Sequence, residues 1–178
     1  MSKKIGLFYG SDTGSTEYAK DLVIKAIGEE YVDSKDVYKA SKSDFDHYSL
    51  LILGLSTWFD GDLQSDWEDF FGEFQTIDFT DKKVALFGLG DQIGYGEFFI
   101  DGVGILGQAV AENGGEIVGV WPNDGYDYLE SKAEFEPGWF MGLALDEDNQ
   151  RDQTEDRIQR WIEQIKEEFP IIEDKVMA

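Results

Sequence analysis

The chain has no cysteine. Disulfides, thiolate catalysis and iron–sulfur ligation are therefore excluded for this sequence. It has a single histidine, His47. The neighbours Asp46, Tyr48 and Ser49 make that position read as a solvated turn before a strand. A histidine-rich metal site and a Ser-His-Asp triad are thereby set aside. Basic residues are scarce: 15 Lys and Arg stand against 38 Asp and Glu, a formal net charge of −23. Nucleic acid and anionic membranes are bound by clustered cations, so the charge argues against both as partners. It favours basic proteins met by electrostatic steering, although acidity that serves only solubility explains the same count. No apolar run approaches the ~20 residues of a membrane span. Met1-Ser2-Lys3-Lys4 leads straight into a strand pattern, with no signal-peptide pattern before it. A cytoplasmic monomer is the expectation. No internal repeat, linker or low-complexity stretch stands out.

What is present suffices for a core. The chain has 178 residues, 42% hydrophobic and 15% aromatic, which fits one domain spanning 1–178. Short apolar runs alternate with helical patterns. Ile5-Gly6-Leu7-Phe8-Tyr9 reads as a strand, and 15–28 as a helix with Tyr18, Ala19, Leu22, Val23, Ala26 and Ile27 on one face. A weak strand covers Val32 to Tyr38. Leu50-Leu51-Ile52-Leu53-Gly54-Leu55 is apolar throughout, as a central parallel strand should be. A helix carrying Trp67, Phe70 and Phe71 follows, then the strand Val84-Ala85-Leu86-Phe87. A helix around 98–112 sets Phe99, Val103, Leu106 and Val110 on one side. Ile117-Val118-Gly119-Val120-Trp121 reads as the fifth strand. Asp152 and Glu155 fit a capping box for a last helix with Ile158, Trp161, Ile162, Ile165 and Phe169 inward. This βαβ series predicts an α/β doubly wound parallel sheet with helices on both faces. The long segment from Pro122 to Leu145, with an apolar run at 139–143, reads as an insertion that splits the last strand.

In such sheets ligands bind beyond the carboxyl ends of the strands. Three loops leave those ends here. The first is Ser11-Asp12-Thr13-Gly14-Ser15-Thr16. Small residues admit backbone N–H groups to an anion, hydroxyls add donors, and the following helix adds its dipole. The loop has no Lys or Arg, so it is a phosphate site built from neutral donors, not a P-loop. Ordinary helix capping is the alternative. The second loop is Ser56-Thr57-Trp58-Phe59-Asp60-Gly61. A Trp and a Phe at a loop tip make sense where a flat ligand stacks, unless Trp58 folds back into the core. The third, 88–96, has four glycines in nine residues, which lets backbone approach a ligand, and Tyr95 as a second aromatic plate.

Two further patterns are decoys. Gly102-Val103-Gly104-Ile105-Leu106-Gly107 spells G-x-G-x-x-G inside a helical pattern, so it reads as a thin packed helix face. Asp146, Asp148 and Gln150 hint at a calcium loop, but Arg151 and Arg157 stand where Gly and Glu are required.

The three loops resemble the FMN loops of flavodoxins: a T/S-x-T-G-x-T phosphate loop, a T-W loop and a G-x-G-D-Q-x-x-Y loop. The resemblance runs from Lys4 to about Phe169. It includes Asp124-Gly125-Tyr126, the stretch from Gly142 to Asn149, and Arg157. The insertion at about 122–142 is similar to that of the long-chain subgroup of bacterial and cyanobacterial type. The resemblance implies a five-stranded sheet in the order 2-1-3-4-5. It implies FMN, its phosphate on residues 11–16 and its ring between Trp58 and Tyr95. Backbone of Leu89, Gly90, Asp91 and the Thr57–Gly61 loop would hold the ring edge.

The implied function is a low-potential one-electron carrier, a ferredoxin substitute and not an enzyme. Implied partners are a ferredoxin–NADP reductase type flavoenzyme and photosystem I or nitrogenase. An FMN-dependent quinone reductase is the alternative; no basic residue is placed for a nicotinamide phosphate. In the family the peptide after the Trp-following residue flips on reduction and offers its carbonyl to flavin N5–H, here the Phe59–Asp60 peptide, and the flipped turn would need positive φ at Asp60. Acidic residues expected near the flavin are Asp62, Asp66, Asp91, Glu97, Asp101, Asp127 and Asp148. The chain departs from many relatives at Ser56, where Pro is common, at Asp60, where an uncharged residue is common, and at Ser15.

Overall fold

Strand β1, Ile5–Tyr9, forms where the sequence is apolar without alternation, and it is buried on both faces. The computed structural model describes residues 4–169. Met1, Ser2 and Lys3, read above as a lead into this strand, and 170–178 of the expected domain lie outside the described residues. After β1 come α1 (Ser15–Ile27), β2 (Val32–Asp36), β3 (Leu50–Trp58) and β4 (Asp62–Leu63). Next are α2 (Ser65–Phe74), β5 (Lys83–Leu89), α3 (Asp101–Glu112) and β6 (Glu116–Val118). The chain ends with β7 (Trp121–Pro122), β8 (Glu134–Glu136), β9 (Trp139–Phe140), β10 (Leu143–Leu145) and α4 (Thr154–Glu168).

The main sheet runs β2-β1-β3-β5 in parallel register, and β6 and β10 share the position beyond β5. β6 pairs with Lys83–Ala85 and β10 with Phe87–Leu89, so the insertion does split the last strand, and the order is 2-1-3-4-5 by position. The short β4 folds back antiparallel on the end of β3. The chain moves across the sheet one way through α1 and the other way through α2 and α3. Right-handed crossovers then put α1 on one face and α2 and α3 on the other. The helix α4 returns beside α1. On the α2 face, Phe8 stacks on Phe45 at 4.0 Å and Trp67 meets Phe74 edge-on at 5.5 Å.

Four local readings need correction. The fifth strand stops at Val118: Gly119 turns with φ 72°, its N–H goes to Glu168, and Trp121 joins the separate β7-β9-β8 sheet of the insertion. Tyr18 is exposed, because the buried stripe of α1 runs through Ala19, Val23 and Ile27. α3 begins at Asp101, not 98, since Ile100 takes a left-handed conformation (φ 46°, ψ 34°) that no helix continues through. The capping box does not form: Arg151–Gln153 make a 3-10 turn into α4, and no side chain caps that helix. His47 is exposed at the end of a 3-10 turn before β3.

Candidate functional site

Because β1, β3, β5 and β10 are parallel, the loops that leave their carboxyl ends gather at one edge of the sheet. They enclose a cavity of about 420 Å³, within the size range of small-molecule sites. Larger grooves along α1 mix charged side chains with Leu22, Ile24 and Ile158 and contain no ring.

The first wall is the start of α1. Gly14 is its N-cap residue, with φ 93°, and no side chain caps the helix. The first-turn N–H groups have no intrahelical partner, so they present donors and partial positive charge. Thr13 and Ser15 line the cavity here. Ser11 stays within the loop, its Oγ accepting from Gly14 N at 3.0 Å. Asp12 is turned out of the cavity: its Oδ1 accepts from Gln64 Nε2 at 3.0 Å and Ser65 Oγ at 2.7 Å. Thr16 is fully buried, its Oγ1 2.7 Å from Ser56 Oγ.

The second wall is the end of β3. Ser56, Thr57, Trp58 and Phe59 line the cavity. Trp58 has not folded into the core; it separates this cavity from a shallower groove beside Leu63. Its Nε1 is buried without a hydrogen-bond partner. Phe59 is left-handed at φ 47° and 63% exposed. Positive φ in this turn falls on Phe59 and on Gly61, at φ 90°. Asp60 is exposed outside the cavity, and Gly61 is buried against Phe98 and Asp101.

Leu89, Gly90, Asp91 and Tyr95 make the third wall. Among the described residues Tyr95 stacks on no other ring, so the space between it and Trp58 is open to a flat guest. The Asp91 carboxylate accepts N–H from Gly94 at 2.7 Å and Ile93 at 3.1 Å, and from Asn149 Nδ2 at 2.8 Å. Burial would raise its pKa, but these donors outweigh burial and hold it below the ordinary carboxylate value.

The fourth wall follows β10: Asp148, expected near the flavin, together with Glu147 and Arg151, which the sequence reading did not assign to the site. Arg151 Nε lies 3.6 Å from Glu147, so a cavity whose phosphate loop has no Lys or Arg is lined by a cation from this wall. Burial raises the pKa of Glu147 despite Arg151. Burial and then the neighbouring Asp91 raise that of Asp148. Asp146, read above as part of a calcium-loop decoy, is fully buried. It accepts from Gln92 N and Nε2 and from the N–H groups of Asp148 and Asn149, locking the third wall to the fourth. Oxygens of Asp91, Asp146 and Asp148 lie within 4.8 Å of one another. With Asp146 already saturated by N–H donors, the trio is scaffold. Asp101 is no surface charge: it is 2% exposed and accepts from Lys132 N at 2.8 Å. Asp66 and Asp91 are half-buried, while Asp62, Glu97, Asp127 and Asp148 are exposed as expected.

Comparison with known proteins gives one answer. The flavodoxin family model matches residues 7–161. A flavodoxin of Nostoc sp. is 50% identical over 169 residues, covering 95% of this chain and 99% of that protein. Flavodoxin 1 of Escherichia coli is 44% identical over 168 residues, covering 94% and 96%. The crystal structure of Fusobacterium nucleatum flavodoxin bound to flavin mononucleotide superposes with a TM-score of 0.89 at 36% identity, covering 94% of this chain and 99% of that one.

Proposed function

The chain belongs to the flavodoxin family, and we propose that its four-walled cavity holds one FMN by the residues described above. Flavodoxins are FMN-binding electron carriers, not enzymes, and the chain is read as one of them. When bound, FMN supplies the chemistry of taking and giving electrons one at a time. The protein's residues do the rest. The uncapped start of α1, with Thr13 and Ser15, suits a phosphate. Trp58 and Tyr95 suit the two faces of a planar ring. The backbone of Leu89 and Gly90 suits a ring edge, and exclusion of water there sharpens every electrostatic effect. Asp91, Glu147 and Asp148 line the same cavity and disfavour added negative charge, which argues for a low potential. The observation that carries the reading is the convergence of an open helix N-terminus and two separated aromatic rings on one cavity.

As redox partners we propose a ferredoxin–NADP reductase type flavoenzyme and an acceptor or donor such as photosystem I or nitrogenase. The acidic surface supports basic docking faces of that kind. The proposal includes one domain over 1–178 and a cytoplasmic location. Among the described residues no helix is long and apolar enough to cross a membrane.

The test is reconstitution. Apo protein mixed with FMN should quench flavin fluorescence at one equivalent and turn yellow, and mass spectrometry of the released cofactor should return FMN and not FAD. A colourless protein that takes up no FMN removes the reading. Rapid oxidation of NADPH by the pure holoprotein would turn it toward the quinone-reductase alternative.

A further inference from the structure

Three carboxylates line the cavity, Asp91, Glu147 and Asp148, against one cation, Arg151. The Glu147 side chain is only 13% exposed, and both of its carboxylate oxygens are buried without a hydrogen-bond partner. The Thr154 hydroxyl nearby favours the charged form but completes no hydrogen bond. Arg151 stands 3.6 Å from this carboxylate, near enough for an ion pair and too far for a hydrogen bond. The guanidinium groups of Arg157 and Arg160 donate to Gln150 and Asp156. That of Arg151 is 81% exposed and, among the described residues, has only the loose pair with Glu147. Its field also reaches along the wall. Arg151 opposes the upward pKa shift at Asp148 as it does at Glu147, and Asp148 is coupled in turn to Asp91 beside Leu89 and Gly90.

We propose that Arg151 is a redox-tuning cation, which favours the fully reduced, anionic flavin over the oxidised, neutral ring and so raises the second one-electron potential. The inference rests on the FMN reading. The first electron enters the ring with a proton from solvent and leaves it uncharged. The second enters alone and leaves it anionic. Both electrons come from the external reductant. A fixed cation on the cavity wall therefore acts on the second step and not on the first. The cofactor's phosphate carries its charge before and after both steps, so any pull of Arg151 on it cancels from the potentials. The acidic wall and Arg151 then oppose each other: the three carboxylates lower the second potential, and the one cation limits how far. Glu147 does not remove that effect, because a pair without a hydrogen bond leaves the guanidinium free to turn toward a new negative charge. For one unit charge ~7 Å from the ring, screened as in water because Arg151 is exposed, the preference for the anionic ring is about threefold.

The experiment is a spectroelectrochemical titration of the holoprotein at low ionic strength and slightly alkaline pH, with Kd for oxidised FMN measured alongside. Arg151→Gln should weaken binding of reduced relative to oxidised FMN by about threefold. That makes the second potential about 30 mV more negative, at about 59 mV per tenfold for one electron. The first potential should stay where it is. Arg151→Lys should keep the wild-type value, and Arg151→Glu should about double the shift. Arg160→Gln makes the same change in net charge on an exposed arginine outside the cavity, and should move neither potential. Circular dichroism melting checks that each variant is folded, and Arg151→Glu decides the matter if the glutamine variant is not. A second potential that stays put in Arg151→Gln and Arg151→Glu overturns the proposal. So does a shift matched by Arg160→Gln, which would report net charge alone, or one shared equally by both potentials, which would report a distorted cavity. Wild-type protein that takes up no FMN removes the FMN reading itself, a result visible before any variant is made.

Discussion

Trp58 closes the central strand with its indole N–H buried and unpartnered. An orphaned buried donor costs about 1–3 kcal/mol, so the residue is placed for a guest and not for the core. Stacking contributes roughly 0.5–1.5 kcal/mol beyond area burial. Trp58→Ala should weaken FMN binding by about tenfold and restore flavin fluorescence; a titration with unchanged midpoint and quenching would return Trp58 to a packing role. Asp60 tests the electrostatics. It is exposed on the hairpin turn beside Phe59. For a charge about 7 Å from the ring and screened as in water, the repulsion is about 0.6 kcal/mol, or about 25 mV for one electron. Asp60→Asn should raise the more negative one-electron potential by that order in a redox titration; no movement would mean that its charge is lost to solvent. Backbone geometry at this turn was not legible in the sequence. Nothing in the residue types singles out Phe59 for the left-handed conformation that it takes at φ 47°. The β3–β4 hairpin fixes the turn by pairing Trp58 with Asp62, and this pairing overrides residue preference.

At the scale of elements, Tyr126 ties the insertion to the last strand and the last helix. Tyr126 donates to Ala144 O, accepts from Trp121 Nε1 at 2.9 Å, lies under the Arg157 guanidinium at 4.1 Å and meets Phe99 and Phe140 at 5.6 Å. Burial pushes its pKa up to about 12, against the opposing pull of Arg157. The neutral phenol is thus favoured by the fold. Its contribution to stability is complete below the unfolded tyrosine pKa of about 10 and is lost as pH rises toward the folded value. Ultraviolet titration should show two phenols ionising near 12, Tyr48 and Tyr126, and only one of them in Tyr126→Phe. That variant should also lose about 1–3 kcal/mol in denaturant unfolding, because it orphans the Trp121 N–H. A smaller loss would mean that water replaces the hydroxyl.

The three glycines of α3 are the other half of this attachment. Gly102 sits against Leu55 and Thr57, while an added Cβ at Gly104 would come within 2.2 Å of Lys132 O and at Gly107 within 2.7 Å of Met141 Sδ. The thin helix face was legible from the repeat of glycine; that it receives the insertion as well as the sheet was not, since β8 and β9 pair only with each other and β7. Main-sheet strands were legible because burial on both faces leaves unbroken apolar runs. The fifth strand was misread for the same reason: an apolar run cannot report that its two ends pair in different sheets. Glu147 and Arg151 of the fourth wall were missed because they follow the last strand in a polar stretch that periodicity does not distinguish from a surface turn.

Across the whole molecule the charge is −23, and the cavity opens within it. Phe59 and Tyr95, 63% and 46% exposed, line the cavity with Asp91 and Asp148, and Asp60 and Ile93 are exposed in the same two loops. These two kinds of surface act at different stages of an encounter. Charges act over a Debye length, ~8 Å at physiological salt, so they set how fast a basic partner arrives and how it is turned. Apolar side chains act only on contact and stabilise the docked pair by excluding water. For a ferredoxin–NADP reductase type partner, the association rate should therefore fall by about tenfold or more from low to high ionic strength. The dissociation rate should change far less, since salt does not weaken apolar contact. Stopped-flow mixing of the two proteins across a salt series separates the two rates. Replacing Asp60, Asp62 and Asp148 by Asn should flatten the salt dependence, whereas Phe59→Ala should leave the slope alone and speed dissociation. An association rate indifferent to salt would show that the acidity serves solubility and that docking is steered by shape.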